Sequence, residues 1–101
     1  MRHLSAEQSV VVNARLAVLA AMSFNDLTAL PTVVSEDLVL SLKKHTISVW
    51  HDILESGDHR LVVQLYQHGI LGVGQMYAEG FIINHRDEHR ALTQKEWEPF
   101  S

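Results

Sequence analysis

The residues that most suggest chemistry lie near the C-terminus, where His85-Arg86-Asp87-Glu88-His89 has the order H-x-x-E-H. On a helix, histidines four apart project from one face and can share a zinc ion, with the glutamate between them as base. Inverted zinc hydrolases of this pattern take a third ligand from a glutamate far downstream. Here only Glu96 and Glu98 follow His89 as carboxylate side chains, and the segment is as densely charged as a solvated helix end. The motif therefore reads as surface. A metal-dependent hydrolase built on His85, Glu88 and His89 is the most remote function considered.

Other catalytic signatures are weaker still. His3, His45, His51, His59 and His68 show no ligand spacing, although seven histidines in a short chain suit a pH-sensitive surface. Gly69, Gly72 and Gly74 lack the lysine and hydroxyl residue of a phosphate loop, and Gly80 is wrongly spaced for a dinucleotide fingerprint. Serines occur without a nucleophile elbow. Cysteine is absent, which excludes disulfides, thiolate metal sites and cysteine nucleophiles. The expectation is a protein that is not an enzyme and holds no cofactor or metal. A net charge of -4 with a pI near 5.9 argues against phosphate neutralisation and hence against nucleic acid as partner. A small DNA-binding regulator is the first rival reading. It would present Gln64, Gln67, His68 and Gln75 after the turn at Ser56-Gly57-Asp58, with Arg60 as the cation of that face.

The 101 residues suffice for one domain, spanning 1–101. Ser5 and Gln8 form a capping box that opens a first helix over 6–22, and the segment from Ser23 to Thr32 connects, with a short helical turn. Ser35-Glu36-Asp37 reads as a second start, giving a helix over 36–56 that Gly57 ends. Asp58 then caps a third helix over 59–84. Its glycines cost about 1 kcal/mol each, but Val62, Leu65, Gly69, Gly72, Met76, Gly80 and Ile83 fall on one helical stripe. Thr93 and Glu96 form another capping box before Pro99. The expected architecture is all-α: three long helices and a short C-terminal turn.

The faces of these helices suggest a role. The second divides Leu38, Val39, Leu42, Val49, Trp50, Ile53 and Leu54 from Ser41, Lys44, Ser48, His51, Asp52 and Glu55. The first is apolar all round, with Val11, Val12, Leu16, Leu19 and Met22 on one side and alanines on the other. One copy of the chain cannot cover it, which predicts a homodimer with Val11, Ala14, Ala17, Val18 and Ala21 in the seam. Leu40, Ile47, His51, His68, Leu71 and Ile82 are the candidates for a second, partner-binding patch. The predicted function is a non-catalytic regulator that occludes a surface of another protein, such as a transcription factor. The run from Val10 to Met22 contains Asn13 and Arg15 and is too short to span a bilayer. Glu7 and Arg15 also fit a secretion signal poorly, so a cytoplasmic location away from membranes is expected.

Overall fold

The capping boxes expected at Ser5 and Thr93 both form, and a third forms at Ser23. In the computed structural model, which describes residues 4–69 and 74–100, Ser5 and Gln8 cap each other at the start of helix α1 (Ala6–Ala20). Ser23 and Asp26 do the same for the single turn α2 (Phe24–Leu27), and Thr93 and Glu96 for α3 (Gln94–Trp97). A 3-10 turn, Glu98–Phe100, follows.

Between these helices the described residues form mainly a sheet, which overturns the all-α expectation. Strands β1 (Val33–Leu40), β2 (Lys43–Ile53), β3 (His59–Gln67), β4 (Gln75–Ile83) and β5 (His89–Arg90) form an antiparallel meander in the order β1-β2-β3-β4-β5. The described residues of the segments expected as helices over 36–56 and 59–84 thus lie in strands and turns, and residues 70–73 of the second lie outside the described residues. In β2 burial alternates strictly: His45, Ile47, Val49 and His51 face inward, and Thr46, Ser48 and Trp50 lie between them. Valine, isoleucine, threonine and tryptophan suit such a pleated, half-buried surface better than a helix. Ser35, Glu36 and Asp37 cap nothing and sit in mid-strand.

The turns explain why the strands escaped notice. Ser41 and Leu42 join β1 to β2, both at positive φ (52° and 63°), as a two-residue type I′ hairpin requires. Neither is the glycine or asparagine that announces such a turn, and Leu42 is 98% exposed at its tip. Gly57 does adopt positive φ (89°), but in the turn between β2 and β3, where its N–H donates to the Leu54 carbonyl.

Layers cover both faces of the sheet unequally. On one, α1 brings Val12 and Leu19 onto Ile47, Val49, Leu61, Val63, Leu65 and Ile83. On the other, Val62, Ile82 and Leu92 pack with Trp50, Trp97 and Phe100 under the C-terminal segment. Consequently β3 is enclosed on both sides, and Leu61, Val62, Val63 and Leu65 are fully buried. Each such side chain contributes about 1.5–3 kcal/mol by leaving water.

Gly80 belongs to this packing, not to a helical stripe. It pairs with Val62 across β3 and β4, and a Cβ at that position would collide with the Leu61 carbonyl oxygen. Gly80→Ala is expected to lower the unfolding free energy by about 1–3 kcal/mol in urea titrations, as overpacking does; a midpoint equal to the parent's would contradict this packing.

Candidate functional site

Polar side chains gather at three places on this scaffold. At the open end of the sheet, beneath the start of α1, the backbone N–H of Ser5 donates to Gln8 Oε1 (2.9 Å). That bond fixes which way the Gln8 amide points. Its Nε2 then donates to His45 Nε2 and to Gln67 Oε1, each at 3.1 Å. His45 Nε2 must accept, so its proton is on Nδ1, which donates to the Lys43 carbonyl (2.9 Å). Gln8 and His45 are both buried, and the network leaves neither with an unmet bond. Ser41 closes the rim: its N–H and hydroxyl donate to the Glu7 carboxylate at 3.2 and 2.7 Å.

At the opposite end, His51 and His59 meet inside the core. His51 Nδ1 donates to the Leu30 carbonyl (3.1 Å), so His51 Nε2 accepts from His59 Nδ1 at 2.5 Å. The rings are 11° from parallel with centroids 4.8 Å apart, as a nitrogen-to-nitrogen bond between edges requires, and Phe24 meets His59 edge-on at 4.4 Å. Burial lowers the pKa of His59, the nearby His51 lowers it further, and Asp58 opposes both.

On the far face, arginines fasten the C-terminal segment. Arg60 donates from Nε and Nη2 to Asp52 and from Nη1 to the Glu96 carbonyl (2.7 Å), and its guanidinium lies 5.1 Å from the Phe100 ring centre. Arg90 holds the Glu96 carboxylate with two bonds, 2.7 and 2.8 Å. Arg90 first, and then the Thr93 N–H, bring the Glu96 pKa down to about 2. Both arginines are thus engaged in fastening this segment.

The H-x-x-E-H residues occupy the turn between β4 and β5, not a helix. Asn84 Oδ1 accepts from the N–H groups of Arg86 and Glu88, and Asp87 takes positive φ (61°) while accepting from the Phe24 N–H. His89 stacks on Phe81 from β5. Without a helix, the four-residue spacing no longer aligns His85 with His89. Among the described residues no group of three or more histidines and carboxylates is placed to hold a metal.

The proposed partner patch does not assemble either. Leu40, Ile47, His51 and Ile82 are buried, because the strand pleat turns them into the two cores. His68 is exposed: its Nε2 bonds the Thr46 hydroxyl (2.8 Å), and Tyr66 meets its ring edge-on. Leu71 lies outside the described residues. The seam residues fare differently. Ala14, Ala17 and Ala21 are exposed, Val18 is 61% exposed and Val11 is half-buried. Val10, 67% exposed, extends the same stripe and was missed. Gln67 and Tyr77 were missed because nothing local in sequence ties them to Ser5 and Gln8; the capping box alone marked that end.

A buried histidine with a lowered pKa stabilises the fold fully above about pH 6.5, and that contribution is lost as pH falls toward the native value. Thermal midpoints should therefore drop between about pH 7.5 and about pH 5.5. His59→Phe keeps a ring against Phe24 but takes up no proton, so it should reduce that drop; an unchanged slope would count against the pair. No helix among the described residues is long and apolar enough to cross a membrane. The chain matches no family model, and comparisons with curated proteins and with solved structures find no match either.

Proposed function

We propose that the protein is a non-catalytic, cytoplasmic regulator that binds another protein and occludes a surface that this partner needs, for instance a transcription factor's assembly surface. The observation that carries this reading is the edge of the sheet at β1. This strand is eight residues long, and its outer side is unpaired among the described residues. Val33, Val34 and Val39 are exposed along it. An uncovered edge of that length is a template for another strand.

Charge selects the occupant. Glu36 and Asp37 stand at the middle of β1, opposite Ile47 and Thr46 of β2, so no cation faces them across the ladder. Arg15 reaches Glu36 from α1 at 3.5 Å, and the Thr46 hydroxyl donates to Asp37. Pairing β1 with a second copy in a central register sets Glu36 or Asp37 against itself, which is destabilising. An extended segment with lysine or arginine at its centre and β-branched residues at its ends fits instead.

Self-association uses a different surface. The side of α1 away from the sheet carries Val10, Ala14, Ala17 and Ala21 in one stripe, with Val18 beside it and no charge among them. Small side chains let a second helix approach to about 8 Å, and a charge-free stripe is complementary to itself. A two-fold dimer through α1 would leave β1 free.

Two measurements test these surfaces. A peptide with valines at its ends and two central lysines should bind at least about tenfold more tightly than one with central glutamates, by fluorescence anisotropy. Glu36→Lys with Asp37→Lys should reverse the preference; equal binding of both peptides, or none, would sink strand addition. In sedimentation, the parent should run as a dimer, and Ala17→Glu and Ala14→Arg as folded monomers, because both positions are exposed within one chain. A dimer that survives both changes, or a monomeric parent, would remove the seam.

A further inference from the structure

We infer that the polar hollow under the start of α1 is a binding site for a small monocarboxylate, separate from the surfaces of β1 and α1. The hollow measures about 380 Å³ and is lined by Ser5, Gln8, Lys43, His45, Gln67 and Tyr77, among others. That is large enough for a small metabolite.

The ligand class follows from the bonds already made. Gln67 Oε1 already accepts from Gln8, so its amide group has two N–H donors and one oxygen lone pair left to offer. Tyr77 donates its hydroxyl proton to Gln75 Oε1 (2.9 Å), which likewise leaves the Gln75 amide two N–H donors and one oxygen lone pair. Lys43 adds an ammonium with no partner among the described residues. Both ring nitrogens of His45 are engaged, by Gln8 and by the Lys43 carbonyl, so His45 offers nothing to a ligand. Among the described residues, the free donors of Gln67, Gln75 and Lys43 outnumber the lone pairs left on those side chains. They call for a ligand rich in acceptor oxygens.

Charge narrows this to a single negative charge. Among the described residues Lys43 is the one cation on the wall, and the Glu7 carboxylate, tied to Ser41, stands at the rim. With Lys43 and Glu7 both present, a monoanion leaves one negative charge uncompensated, whereas a dianion such as doubly ionised phosphate leaves two, so the smaller charge is favoured. Gln67, Gln75 and Lys43 are the binding groups. Gln8 and His45 are positioning residues, since they set the direction of the Gln67 amide.

The test uses the full chain, ¹⁵N-labelled, titrated to about 10 mM with N-acetylglycine, N-acetylglycinamide or inorganic phosphate. N-acetylglycine should shift the side-chain amide signals of Gln67 and Gln75 in a saturable way; the uncharged amide and phosphate should do so at least about tenfold more weakly. Lys43→Gln, at an exposed position, should weaken N-acetylglycine about tenfold with an unchanged thermal midpoint. Gln67→Glu keeps the oxygen that Gln8 uses and replaces the donor with a charged acceptor, so it should abolish the shift of the remaining Gln75 amide signal. If that variant does not fold, Lys43→Gln decides alone. Absence of shifts, equal shifts with N-acetylglycinamide, or binding indifferent to Lys43→Gln overturns the proposal.

Discussion

One side-chain amide, that of Gln8, joins the two halves of this molecule. Its oxygen caps the backbone of α1, and its nitrogen reaches His45 on β2 and Gln67 on β3. An amide can do both only in one orientation, because a flip would set its oxygen against Gln67 Oε1 and its nitrogen against the Ser5 N–H. The capping box therefore fixes the rotation of α1 about its own axis as well as its first turn. With Gln8 turned to the sheet, Val12 and Leu19 follow it into the core, and Val10, Ala14, Ala17 and Ala21 must point away. The bare apolar stripe on α1 is a geometric consequence of where that one glutamine is held.

The far face works by a different kind of bond. There Arg60 gathers Asp52, the Glu96 carbonyl and the Phe100 ring, and Arg90 gathers the Glu96 carboxylate. A charge-assisted fork holds a short segment in place that has little apolar area of its own. Trp97 and Phe100 then shield Val62 and Ile82, which the meander would otherwise leave half-wet. Polar bonds thus orient the covering segments on both faces, and burial supplies most of the energy.

What the sequence revealed divides along the same line. Local, covalently close signals were legible: two of the three capping boxes, the extent of α1, its surplus of apolar surface, and a turn at Gly57. Signals that depend on distant pairing were not. Residues 36–56 support a helical stripe and a strand alternation equally well on apolarity alone, and β-branched content was the discriminator left unused. The Ser41-Leu42 turn, the feature that would have split that segment, has no glycine or asparagine to mark it. The clusters His51–His59 and Gln8–His45–Gln67 link residues across strand registers, so no spacing rule finds them. Leu40, Ile47 and Ile82 were expected outside because a helix would put them there; the period of two puts them inside.

The edge of β1 shows how the same acids can protect and select. A long, exposed strand with three valines is an aggregation hazard, and proteins commonly blunt such edges with charge. Lysine is the usual choice, yet here the charges are acidic, and Lys43 and Lys44 lie at the hairpin end instead of the middle. Acidic residues repel another copy of this strand as well as lysine would, so protection alone does not explain the sign. Within the chain the sign suits Arg15, which reaches Glu36 from α1, whereas Asp37 meets no cation among the described residues, and there the sign bears on a different chain. Glu36 and Asp37 project to opposite faces of the sheet. A strand laid along β1 would therefore meet one carboxylate on each side, and only neighbouring cations, one per face, satisfy both at once. Edge protection and partner choice then rest on one pair of residues, and reversing their charge should alter the second while preserving the first.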